Sequence, residues 1–150
     1  MAFQIFTDSA ANIPAAKLEE LGINVIECSY EVGGQIIKCP TVPDDFDGKA
    51  FYDMLRAKTE VHTSMTNTHD IAAKFETALS AGEDVLYISI SSGISGTYNA
   101  ARLAAEELRD KYPERRIEVF DSMGAGEIIM CDRKGIICAG DDLTPAKAEI

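Results

Sequence analysis

The 150-residue sequence contains no tryptophan, no run of eighteen consecutive apolar residues, and no basic segment leading into a long apolar one at its start, "MAFQIFTDSAANIP". A membrane-spanning helix needs about 20 apolar residues and a signal peptide needs that n-region and h-region order. The expectation is a soluble, cytoplasmic protein. Positive charge is also scarce, with 14 Lys and Arg against 25 Asp and Glu and a formal net charge of −11. Nucleic acid and anionic membrane surfaces are held by concentrated Lys and Arg, so both are excluded as main partners. Any anion must be bound locally, by backbone amides and hydroxyls. Cys28, Cys39, Cys131 and Cys138 show no C-x-x-C spacing, which predicts reduced thiols rather than a disulfide framework. His62 and His69 have no third ligand spaced to join them, so no metal is expected. The acidic group Asp44, Asp45 and Asp47 lacks the closing Glu of a calcium loop and reads as a helix N-terminus.

What is present is ordinary globular composition, 46% hydrophobic and 26% charged, on a chain long enough for one domain with a core. Strand-like and helix-like segments alternate, which predicts an α/β fold with an open, mostly parallel sheet and flanking helices. "FQIF" opens as a strand, and Pro14 with "AAKLEELG" gives a helix closed by Gly22. "INVIECSYEV" reads as one strand returning through a Gly33-Gly34 turn into "QIIKC". "GKAFYDMLRAK" and "IAAKFETALSAG" read as helices, the second capped by Asn67 or Thr68, with "TEVHTSMTNTHD" as the loop between them. "VLYIS" is a strand whose loop opens a helix running to about Lys111, and "RIEVF" is a further strand. Asp8-Ser9 and Asp121-Ser122 each follow a strand ending in Phe. In parallel strands they would share one sheet edge with the loop Ser91 to Thr97, where open α/β folds bind ligands. Each pair also suits simple capping of the next element. From Gly124 to Gly140 neither period is clean, and Thr144-Pro145 announces a helix. The expected division is an α/β domain over 1–122 and a divergent tail over 123–150, in a chain that is a piece of something longer.

The segment "SISSGISGTY" supplies the hydroxyls of Ser89, Ser91, Ser92, Ser95 and Thr97, glycines at 93 and 96, and a helix N-terminus. Unpaired amides at such a terminus favour an anion. The P-loop lysine is absent, the dinucleotide G-x-G-x-x-G is absent, and "SSGISG" is no nucleophile elbow. The loop is suited to hold a carboxylate or phosphate rather than to attack one. Its simpler reading is a tight strand-to-helix turn with capping serines. "HTSMTN" adds a second hydroxyl run ahead of a helix.

Taken in order, "TDSAANIP", "TSMTN", "ISSGISGTYNAA" and "VFDS" resemble the DegV family of bacterial fatty-acid-binding proteins, which includes the FakB subunits of fatty acid kinase. The match runs from about Phe3 to Ser122. The resemblance implies a long-chain fatty acid such as palmitate, buried between this α/β domain and a second domain that this chain lacks. Its carboxylate would be held by Thr63 and Ser95, with Ser64 and the backbone of Gly96 close by. Asp8, Ser9, Ser92, Thr97, Asp121 and Ser122 are the secondary candidates. No cofactor and no catalytic residue is implied, because a separate ATP-using kinase partner would make the acyl phosphate. The sequence departs from the family after "VFDSMGAG", where Glu127, Asp132, Arg133 and Lys134 interrupt an expected apolar helix. Two other readings stay open: an enzyme acting on a small phosphorylated or carboxylated metabolite with Asp8 or Asp121 as base, and a fragment that binds nothing.

Overall fold

The computed structural model describes residues 3–124, 130–131, 136–138 and 145–147. Four strands, β1 (Phe3–Asp8), β2 (Ile23–Ile26), β6 (Asp84–Ser89) and β7 (Ile117–Asp121), form a sheet in the order β2-β1-β6-β7. Every pairing in it is parallel. Parallel strands are covered on both faces and so read as continuous apolar runs. In β6, Val85 and Tyr87 face one cluster while Leu86 and Ile88 face the other. The first face is covered by α3 (Thr68–Ser80) and α4 (Thr97–Lys111). Phe75 of α3 sits fully buried between Phe6 and Tyr87. From α4, Ala100, Ala101, Ala104 and Ala105 are all buried, and their small side chains let the helix lie close to its neighbours. The opposite face is covered by α1 (Ala15–Leu21), where Leu18 packs with Ile5, Ile13 and Ile23. Asn67 caps α3 by accepting from the Asp70 amide at 2.8 Å.

A second, antiparallel sheet has the order β4-β3-β5, built from β3 (Ser29–Val32), β4 (Gln35–Lys38) and β5 (Val61–Ser64). The β3–β4 hairpin turns at Gly33 and Gly34, with φ of 57° and 81°, a two-residue turn whose positive φ values suit glycine. Helix α2 (Gly48–Arg56), capped by the Asp47 carboxylate, lays Phe51 edge-on against Tyr30.

Three expectations are corrected. "INVIECSYEV" is two strands in two sheets, because the chain breaks at Glu27 and Cys28: the Cys28 amide donates to Ser9 Oγ (3.0 Å) and the Glu27 carbonyl accepts from Thr66 Oγ1 (3.4 Å). Side chains thereby take up backbone groups that a continuous ladder would have used. "VHTS" is a strand rather than loop, since β3 offers it a free edge. Pro145 opens a strand, β10 (Pro145–Lys147), instead of a helix; it pairs with β9 (Ile136–Cys138), which also pairs with β8 (Met130–Cys131). Proline is tolerated at the first position of an edge strand, and segments of two or three residues are too short to show a period. Thr144, Glu127 and the charged group Asp132 to Lys134 lie outside the described residues.

Candidate functional site

Parallel pairing puts the C-terminal ends of β1, β6 and β7 along one edge, as the repeated Asp-Ser implied. The loop Ile90 to Gly96 leaves β6 there and is held from both sides. On one side the Ile90 amide donates to Asp8 Oδ2 at 2.8 Å, and Tyr87 Oη donates to the same oxygen at 3.2 Å. Asp8 also accepts from the Ala10 amide at 3.1 Å, capping the turn that follows β1. On the other side Asp121 Oδ1 accepts from the amides of Ser92 (3.1 Å) and Met123 (3.0 Å). The capping reading therefore holds for both pairs, and both lie along one sheet edge beside the serine loop. Each aspartate caps its own turn and clamps the serine loop with an amide from it.

The two aspartates differ electrostatically. Asp8 is 1% exposed, and burial raises its carboxyl above the ordinary value despite its bonds from Ile90, Tyr87 and Ala10. Burial also drives the Tyr87 phenol well up, with the neighbouring Asp8 charge acting in the same direction. For Asp121 burial raises the carboxyl, but hydrogen bonds from Ser92 and Met123 outweigh it and the net shift is downward.

Within the loop the Ser95 and Thr97 hydroxyls lie 2.9 Å apart, and Ser95 Oγ accepts from the Thr97 amide at 3.2 Å. Thr97 is buried. Either hydroxyl can donate across that contact; when Thr97 donates, the Ser95 proton is released to an incoming oxygen. The Ser91 Oγ accepts from the Gly93 amide at 3.1 Å and closes the loop's first turn.

The second hydroxyl segment reaches this loop through residues that the sequence reading did not single out. The buried Thr66 donates its amide to Thr97 Oγ1 at 3.3 Å. Met65 lies across Gly96, where an added Cβ would come within 2.5 Å of its sulfur. What limits a side chain at 96 is this one movable thioether and not the backbone, since the φ of −74° suits any residue. Thr63 and Ser64 stand on β5, opposite Tyr30 and Ser29, the first exposed and the second half-buried. Consecutive residues of a strand project to opposite faces, so the structure does not turn these two hydroxyls the same way. Ser92 is exposed on the loop's outer side. Ser9 and Ser122 serve the fold: Ser9 holds Cys28, and Ser122 bonds its neighbour Gly124 through both amide and carbonyl. Nothing in the alternation of "DVLYIS" marks Tyr87 as an Asp8 partner, and Thr66 was visible only as one more hydroxyl in "TSMTN".

Three apolar side chains stand exposed on the loops of this edge: Met65 at 56%, Ile94 at 61% and Met123 at 81%. They put an apolar surface beside the hydroxyls and amides. No helix among the described residues is long and apolar enough to cross a membrane.

The profile of the DegV family, described as an uncharacterised protein family, matches residues 2–129. A DegV domain-containing protein of Clostridium perfringens is 36% identical over 125 residues, covering 82% of this chain and 42% of that protein. A solved structure reporting fatty acid binding of a DegV family protein from Thermus thermophilus superposes with a TM-score of 0.72 at 26% identity, over 85% of this chain and 43% of the other. A Thermotoga maritima protein, whose structure is reported to reveal a fatty acid binding function, gives 0.71 at 28% identity, over 84% and 45%. The chain thus spans less than half the length of these relatives.

Proposed function

The chain belongs to the DegV family, and on that premise we propose that it binds a long-chain fatty acid, with the carboxylate held by hydroxyls and amides at the sheet edge. Ser95 and Thr63 donate to the carboxylate oxygens, with the Gly96 backbone beside them, while Ser64, next along β5, projects to the other face of its sheet. The observation that carries this reading is the serine loop itself: it is held by Asp8 and Asp121, Thr66 bonds Thr97 at its end, and exposed Met65, Ile94 and Met123 flank it. A ligand with an anionic head and an apolar tail matches both surfaces. The absence of a phosphate-binding lysine in the loop favours a carboxylate over a nucleotide. Catalysis is assigned to none of these residues, and Asp8, sealed from solvent with its lone pairs engaged, is poorly placed to act as a base. Presentation of the bound carboxylate to a separate kinase, which would form the acyl phosphate, is the downstream step we assign to the whole family-length protein.

The test is calorimetric titration of a long-chain fatty acid into the wild-type chain, Ser95→Ala and Thr63→Ala. A hydrogen bond to a charged group contributes about 1.5–3 kcal/mol, so each variant should bind roughly 10- to 150-fold more weakly. Unchanged affinity in both, with the fold intact by circular dichroism, would remove the proposal.

A further inference from the structure

Outside the carboxylate site, Cys28 and Cys39 face one another across the open end of the β3–β4 hairpin. The ladder pairs Ser29 with Lys38, and it continues one step further, since the Cys39 amide donates to the Cys28 carbonyl at 2.8 Å. Directly opposed residues of an antiparallel pair project to the same face, with Cβ atoms about 4.5–5.5 Å apart and Cα atoms about 5.5 Å apart when hydrogen-bonded. A disulfide requires Cα atoms at about 4.4–6.8 Å and Cβ atoms at about 3.5–4.5 Å. Ladder spacing at this register meets the first condition, and the second needs a movement of about an ångström.

Both cysteines are half-buried free thiols, and both line one cavity of about 270 Å³ with Ser9, Pro40, Val42 and Phe46. They stand side by side in a mostly apolar chamber that opens to solvent. We propose that Cys28 and Cys39 form a redox-active dithiol, which a low-molecular-weight disulfide oxidises to a cross-strand disulfide in the wall of this cavity.

The chemistry balances as two exchanges. One cysteine thiolate attacks the reagent's S–S bond, forming a mixed disulfide and releasing one thiol. The second cysteine then displaces the other half of the reagent. The protein loses two protons and two electrons, and the reagent is reduced to two thiols. Burial raises both thiols, with the Asp8 charge adding to Cys28 and Cys28 adding to Cys39. Both thiols are therefore protonated near neutral pH, and exchange is favoured at higher pH, where thiolate forms. The bond would fix the wall beside Ser9, whose hydroxyl holds the Cys28 amide. None of this depends on the fatty-acid reading.

The wild-type chain is incubated with oxidised glutathione at about pH 8.5, where the thiolate fraction is larger, and analysed by intact mass and peptide mapping. The expected product has lost two hydrogens, yields a peptide linking Cys28 to Cys39, and is restored by dithiothreitol. Prior treatment with phenylarsine oxide, which bridges two adjacent thiols, should abolish that product. Stable glutathione adducts on either cysteine, a link from either one to Cys131 or Cys138 in place of the Cys28 to Cys39 peptide, or both thiols remaining free to alkylation would each overturn the proposal.

Discussion

Asp8 offers the sharpest test of how the site is held together. It is 1% exposed and accepts from the Ile90 amide, the Tyr87 hydroxyl and the Ala10 amide. Asp8→Ala strands the first two of these donors in a buried setting, at about 1–3 kcal/mol each. The total, about 2–6 kcal/mol, is a large share of an ordinary domain's 5–15 kcal/mol. Asp8→Asn keeps a carbonyl oxygen for Ile90 and removes the buried charge, so it should cost much less. The pH dependence gives the decisive sign. Because the folded-state carboxyl is raised above its ordinary 3.8, its stabilising contribution is complete below that value and is lost as pH climbs through the raised one. Urea denaturation between about pH 3 and 7 should therefore show wild type losing stability relative to Asp8→Asn as pH rises, by about 1.4 kcal/mol per unit of displacement. If wild type instead gains on Asp8→Asn over that window, the hydrogen bonds outweigh burial and our account of this carboxylate is wrong.

Other expectations bear on the loops and the core. Gly96→Ala would push its Cβ to 2.5 Å from the Met65 sulfur. That exposed side chain can swing away for about 0.5–1.5 kcal/mol, nearly offset by the 0.4–1 kcal/mol or so that Gly→Ala gains through the unfolded chain. Thermal stability should hold while fatty-acid affinity drops, and Met65→Ala in the same chain should restore it; an unaltered titration for Gly96→Ala alone would place the ligand elsewhere. Thr97→Val keeps the shape but removes the oxygen that receives the Ser95 hydroxyl and the Thr66 amide. It should destabilise by about 1–3 kcal/mol, and a double-mutant cycle with Ser95→Ala should be non-additive; strict additivity would mean the two hydroxyls are uncoupled. Phe75→Ala, at 0% exposure between Phe6 and Tyr87, should cost about 3–5 kcal/mol in chemical denaturation, with a smaller loss indicating that the core refills.

Local pattern was enough wherever a segment's neighbours in sequence decide its structure. The parallel strands announced themselves as apolar runs because both faces are covered, and α1, α3 and the β3–β4 turn were legible from Gly22, Asn67 and Gly33-Gly34. The hydroxyl-rich loop after β6 was legible for the same reason, as was its likeness to the DegV family. What escaped were the features that need a distant partner. "VHTS" becomes a strand only because β3 offers an edge, and "INVIECSYEV" breaks only because Ser9 and Thr66 meet its backbone. Thr66 on Thr97, Met65 on Gly96 and Tyr87 on Asp8 join residues 31 to 79 positions apart. The sequence by itself determined the fold class and the hydroxyl chemistry, since these follow from periodicity and residue type, and its ordered motifs carried the likeness to the family. Only the tertiary structure decided which hydroxyls hold the chain and which are left without a hydrogen-bond partner among the described residues, because hydrogen-bond partners are assigned by proximity in space and not by order along the sequence.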